Sequence, residues 1–181
     1  MPLTPAFVLS SRGDVLATNA LGRAVNQPLY ESQGEHVNHA RFLFLDRRAA
    51  EFWRHWATIA DQTVATMRAE AGRNPFDRDL TDLVGELATC SEEFRNRWAT
   101  HNVRLHTHRT KRIRHPLVGD LDLPYETIPL PADPGQSLLI YTPEPHSRTQ
   151  GALDLLASWN ANHQPATTND SVSTTEDATT P

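Results

Sequence analysis

The side chains richest in chemistry gather in the second half of the chain. His106-Thr107-His108 stands between His101 and His115, and residues two apart on a strand share a face, so His106 and His108 can reach one metal ion. The surrounding charge opposes that ion. Arg104, Arg109, Lys111, Arg112 and Arg114 flank the pair, and no carboxylate stands between Glu93 and Asp120 to complete a site. Accumulated positive charge repels a cation, so these histidines read as solvated strand residues and no metal is expected. Cys90 precedes a helix start, where a thiol can be acidified. No partner base is recognisable, and it reads as a partly buried structural thiol. A G-x-S-x-G elbow, a Gly-rich phosphate loop and a His-Glu-x-x-His pair are all missing. No catalytic residue and no enzymatic activity are expected.

Basic groups invite a second reading. Seven Arg or Lys residues fall between Phe94 and Gly119 with no acid among them (95, 97, 104, 109, 111, 112, 114). Such a patch can meet phosphate or an acidic surface. Charges on a strand are more often its wet face, and no helix-turn-helix, finger or basic-zipper pattern is present. DNA is not expected as a direct partner of this chain.

Aromatic residues supply the third reading. Phe42, Phe44, Phe52, Trp53, Trp56, Met67 and Trp98 exceed what a small sheet needs for cover. Each is ordinary core, or part of a lining that bounds a cavity for an apolar ligand, the usual composition of small-molecule sites.

The elements that must position these residues can be read from periodicity. Leu117, Gly119, Leu121, Leu123 and Tyr125 fall at every second position with Asp120, Asp122 and Glu126 between them, as a strand with one buried face requires. Asp133-Pro134-Gly135 lets the chain reverse into the apolar run 137–142, so residues 115–142 predict a β-hairpin. Residues 6–9 and 15–17 predict two short strands around the turn 10–14. Asn19 caps a short helix, and residues 26–37, interrupted by Pro28 and Gly34, predict a loop or lid. Asp46 is expected to cap the longest helix, roughly 47–71 and closed by Gly72. Asp77 and Ser91 start two more, which puts three helices between the first strands and the last ones. From Val103 the pattern turns extended, and 151–159 predicts a final helix. The order is two strands, helices, then three strands, an α+β domain.

Composition sets the outer bounds. With 38% hydrophobic residues the chain fills one core, whereas residues 161–181 are rich in Thr, Ser, Asp and Pro and predict a disordered tail after a domain spanning 1–160. One cysteine fits a reducing, cytoplasmic setting. No apolar run approaches the roughly 20 residues of a membrane helix.

Four segments together resemble a known family: LTPAFVLSSRGDVLATN (3–19), NHARFLFLDRRAAEFWRHW (38–56), residues 67–103 from MRAEAGRNPFDRDL onward, and KRIRHPLVGDLDLPYETIPLPADPGQSLLIYTPEPHS (111–147). They look like the ligand-binding domain of MmyB-like regulators, the C-terminal half of actinobacterial XRE-type helix-turn-helix transcription factors. The resemblance runs from Leu3 to Trp159, with HPLVG and DPGQSLLIYT its most specific pair. It implies a PAS-like fold, an antiparallel sheet of about five strands covered by helices inserted between strands 2 and 3. It also implies a sensor whose small apolar ligand, possibly a fatty acid, lies between helices and sheet; no other cofactor is required. Thr18 stands where the family typically has Trp, and Val37 where it typically has Arg. Family members carry about 80 residues of DNA-binding domain before the segment that here follows Met1, so the expectation is a fragment, an internal start or an orphan sensor, reaching DNA only through a domain absent from this chain.

The lining residues proposed from the sequence are Phe44, Trp53, Trp56, Met67, Trp98 and Tyr125. The rival expectation is a ligand-free module that forms a homodimer or docks on a partner protein.

Overall fold

The computed structural model describes residues 4–100 and 110–163. Its first unit is a hairpin of β1 (Ala6–Ser10) and β2 (Val15–Thr18). Ser10 ties the turn by accepting the Asp14 N–H and donating its hydroxyl to the Asp14 carboxylate, and Gly13 adopts φ +87° there, a conformation glycine takes without steric cost. Asn19 follows and caps α1 (Ala20–Val25), accepting from the Gly22 N–H at 2.7 Å while its amide donates to the Thr4 carbonyl.

The interval 26–37 is not a loop. It contains α2 (Gln27–Gln33), followed by α3 (His39–Leu45). Pro28 falls in the first turn of α2, where a missing N–H costs nothing, and Gly34 ends the helix at φ +71°. The long helix expected from Asp46 is two helices, α4 (Ala49–Phe52) and α5 (Trp56–Arg73). The cause of the break lies far along the chain. Trp53 is extended and bridges Ile113, and the Arg54 N–H donates to the Arg112 carbonyl at 3.0 Å, so a strand pulls three residues out of helical register. Asp77 and Ser91 cap α6 (Arg78–Cys90) and α7 (Glu92–Ala99) through the Leu80 and Phe94 amides. Seven helices, rather than three, thus separate β2 from β3 among the described residues. Cys90 is exposed at the end of α6, not partly buried. His101, His106 and His108 lie outside the described residues.

The remaining strands are β3 (Thr110–His115), β4 (Gly119–Pro129) and β5 (Gln136–Tyr141), and α8 (Arg148–His163) closes the described chain. The sheet order is β2-β1-β5-β4-β3, antiparallel throughout. The chain's first hairpin therefore joins its last through Phe7↔Leu139, and the expected five-stranded, PAS-like α+β arrangement is observed. Period-two burial holds where the sheet meets helices: Ile113, Leu121, Leu123, Leu139 and Tyr141 are all buried. Removing each such side chain from water contributes roughly 1.5–3 kcal/mol. Leu117 falls in the β3–β4 turn and is exposed.

Two clusters fill the interior. One joins the sheet to α1 through α4 and to α8, whose Asn160 amide reaches the Ala20 carbonyl at 3.1 Å. The other, built on Val64, Met67, Leu80, Leu83, Leu87 and Phe94, joins α5, α6 and α7. Among the described residues no helix is long and apolar enough to cross a membrane.

Candidate functional site

A cavity of about 330 Å³ separates α5 from the edge of the sheet. His55, Thr58, Ile59 and Gln62 line it from the helix side; their spacing of three or four residues puts them on one face. Thr110, Lys111 and Arg112 of β3 and Tyr125 of β4 line the other side. This wall mixes aliphatic, aromatic, hydroxyl and cationic groups, and is more polar than the aromatic stripe led us to expect.

Lys111 is the focal point. Strand parity turns residues 111, 113 and 115 inward together, so its stem lies beside buried Ile113 and opposite Leu123. Its ammonium nitrogen stands 5.3 Å from the Tyr125 ring centroid, 5.6 Å from that of Trp53 and 5.9 Å from that of Tyr141. Electron-rich ring faces attract a cation without neutralising it. Among the described residues no carboxylate forms an ion pair with Lys111. Burial pushes its pKa down to about 8.

The neighbouring titratable groups are held uncharged. His39 sits beside Trp53 with ring centroids 6.3 Å apart, and burial, with the nearby Lys111 charge, brings its pKa down to about 3. Burial, and then Tyr125, raises the Tyr141 phenol well above its usual range. Lys111 is therefore a cation facing aromatic rings and a neutral imidazole, and Arg112, the other cation of the lining, is paired with Asp122.

The rest of the basic stretch behaves differently. Arg112 pairs with Asp122 at 3.3 Å and Arg114 with Asp120 at 3.3 Å, so β4 supplies the acids that the local sequence lacks. Arg97 pairs with Asp61 at 2.9 Å. His115 is buried; its Nε2–H donates to the Ala24 carbonyl at 2.9 Å and its Nδ1 accepts from the Leu117 N–H at 3.2 Å. That pattern assigns a neutral imidazole with the proton on Nε2.

Of the six lining residues proposed from the sequence, Tyr125 faces this cavity. Trp53, buried in the core, forms the wall behind the Lys111 ammonium. The other four lie away from it. Phe44 meets Trp56 and Phe94 edge-on at 6.1 and 5.1 Å, and Trp98 stacks on Phe94 at 5.5 Å. Trp56 also donates its Nε1–H to the Leu43 carbonyl at 2.9 Å, and Met67 is buried in the same interior cluster. Trp98 lines a second hollow of about 200 Å³ with Ala71, Leu80 and Val84. Lys111, Thr58, Ile59 and Gln62 also line the cavity and were not among the residues expected from the sequence. The parity Lys111-x-Ile113-x-His115 was the available signal for the first of them.

Thr18 and Val37, which the resemblance marked as departures, stand apart from the cavity. The Thr18 hydroxyl donates to the Ala6 carbonyl at 3.0 Å, and Val37 is buried beside β2. Among the described residues no three His, Cys, Asp or Glu side chains converge as a metal site requires.

A family model for the MmyB-like transcription regulator ligand binding domain matches residues 1–156. No curated protein matches the chain.

Proposed function

The chain belongs to the MmyB-like transcription regulator ligand binding domain family, and from that premise we propose that it senses an apolar or amphipathic small molecule, a fatty acid being the leading type, held between α5 and the sheet. Membership supports a ligand-sensing, regulatory role. The observation that supports this particular location is the cavity of about 330 Å³ between Ile59 and Tyr125, which falls within the roughly 300–1,000 Å³ usual for small-molecule sites.

Regulation needs a ligand that prefers one of two states, since equal affinity for both shifts nothing. Carrying an equilibrium from 1:99 to 99:1 takes about 5.5 kcal/mol of differential binding. In this proposal the closing of α5 over an occupant supplies that difference. An attached helix-turn-helix segment then reads it as altered engagement of DNA, inside a cytoplasmic regulator.

Native mass spectrometry of the purified protein, followed by denaturing extraction, tests the proposal. A co-purifying mass that extracts as a fatty acid or another apolar compound is expected. A clean apo mass, together with no binding of added medium-chain lipids, sinks it and leaves the protein-docking module as the better account.

A further inference from the structure

Of the 17 Lys and Arg residues in the chain, Lys111 alone is lysine. It is also the cation turned into the interior beside the cavity. Arginine keeps its charge in any setting and spreads it over a broad plane. Lysine presents a compact point charge whose proton can leave when the surroundings are apolar. A buried charge without a partner is costly, and proteins ordinarily pair it or discard it.

At Lys111 neither has happened among the described residues. Three ring faces, from Trp53, Tyr125 and Tyr141, surround the ammonium at 5.3 to 5.9 Å. The other titratable or charged groups facing it are His39 from α3, held neutral, and Arg112 with His55 at the rim. Arg112 is already engaged by Asp122 at 3.3 Å and by the His55 ring at 3.2 Å. The cavity opens onto this one uncompensated cation.

We infer that Lys111 selects the ligand's head group, pairing its ammonium with a single carboxylate while the remainder of the ligand lies along Ile59 and the face of α5. With Arg112 of the same lining already paired to Asp122, one unpaired ammonium balances one negative charge, so a monocarboxylic amphiphile fits better than a phosphate dianion. Thr58 lines the same space from α5, and its hydroxyl is a group that can donate to the second carboxylate oxygen. Pairing favours the protonated amine, so occupancy raises the lysine's pKa from its depressed value of about 8. This inference rests on the cavity beneath α5 being the ligand site.

The test compares octanoate with octanol by calorimetry on the full chain and on Lys111→Met. It also follows the lone lysine Cε resonance of carbon-13-labelled protein against pH. The wild type is expected to bind octanoate about ten-fold or more tightly than octanol at neutral pH, as a charge-assisted hydrogen bond provides. Lys111→Met is expected to lose that preference, and octanoate to move the lysine titration up by about one pH unit, the linkage counterpart of a ten-fold effect. Equal affinities for acid and alcohol, with shifts at Ile59 and Tyr125, overturn the anchor and leave the cavity as the ligand site. No binding of either probe overturns both readings. Should Lys111→Met fail to fold, an unmoved lysine titration in the wild type with octanoate bound overturns the anchor by itself.

Discussion

The Asn38 amide nitrogen donates to the Asp14 carboxylate at 2.7 Å, fastening the turn of the β1–β2 hairpin to the start of α3. The same side chain caps α3, its carbonyl oxygen accepting the Arg41 N–H at 3.0 Å. Burial works to raise the pKa of Asp14, and the contacts from Asn38, Ser10 and Arg12 outweigh it and hold it low. Arg12 extends the link to Asp77, the cap of α6, at 3.2 Å.

Asn38→Ala removes the cap and leaves Asp14 short of a donor. Losses of about 1 kcal/mol for the cap and 1–3 kcal/mol for the orphaned acceptor are expected. Urea unfolding should show the sum, and the melting temperature should fall by roughly 2–4 °C for each kcal/mol. A loss under about 0.5 kcal/mol would mean that water replaces the amide without penalty.

Glycine positions separate helix propensity from packing. In α1 a Cβ on Gly22 would lie 2.4 Å from the Thr18 hydroxyl oxygen and 2.8 Å from the Ala6 carbonyl oxygen, whereas one on Gly85 in α6 meets open space. Propensity favours alanine in both helices by about 0.5–1 kcal/mol. The backbone contact decides at Gly22, so Gly22→Ala should destabilise by roughly 1–3 kcal/mol. Gly85→Ala should stabilise. Equal signs in a thermal melt would refute the steric argument.

Trp56 distinguishes core from cavity. Its Nε1–H bond to the Leu43 carbonyl and its edge-on contact with Phe44 place it in the packing between α3 and α5. Trp56→Phe should cost about 1 kcal/mol for the lost hydrogen bond, and Trp56→Ala roughly 3–5 kcal/mol. Neither is expected to change the acid-over-alcohol preference in calorimetry, because the side chain does not line the space beside Lys111.

Much of this fold was legible because its signals are local. Asn19, Asp77 and Ser91 each cap the helix that follows through an amide three residues on, and the alternation from Leu121 to Tyr125 needs only a strand to explain it. The interval 26–37 misled because Pro28 and Gly34 look alike as interruptions, although one begins a helix and the other ends it. The break at Trp53 had no local mark at all. Apolar spacing continues smoothly from Ala49 to Met67, and what interrupts the helix is a pairing with Ile113, sixty residues later. Aromatic residues drew attention to a cavity, yet Phe44 and Trp98 pack against Phe94 and Met67 is buried in the core, and the charge among the rings came from a basic run that looked uniformly wet. Lys111 departs from that run through strand parity, a signal that charge counting overlooks.

Acidification should destabilise the fold beginning near the ordinary histidine pKa. His39 and His115 both have lowered pKa values, each chiefly from burial, with His39 at about 3. Above roughly pH 6.5 both states are neutral at these positions and the full contribution is present. Below it the unfolded chain takes up protons that the folded chain resists, so stability falls, by up to about 1.4 kcal/mol per pH unit from His39 and by a further amount from His115. The carboxylate of Asp14, with its pKa lowered, acts in a separate and more acid window, its contribution being lost only below about pH 4. Urea unfolding at about pH 7.5, 6.5 and 5.5 should therefore show little change over the first interval and a steep loss over the second. His39→Leu should reduce the slope of that second interval. A wild-type slope near zero there would mean that both imidazoles gain their protons without unfolding, and His115, whose Nδ1 accepts the Leu117 N–H at 3.2 Å, would have to surrender that bond to do so.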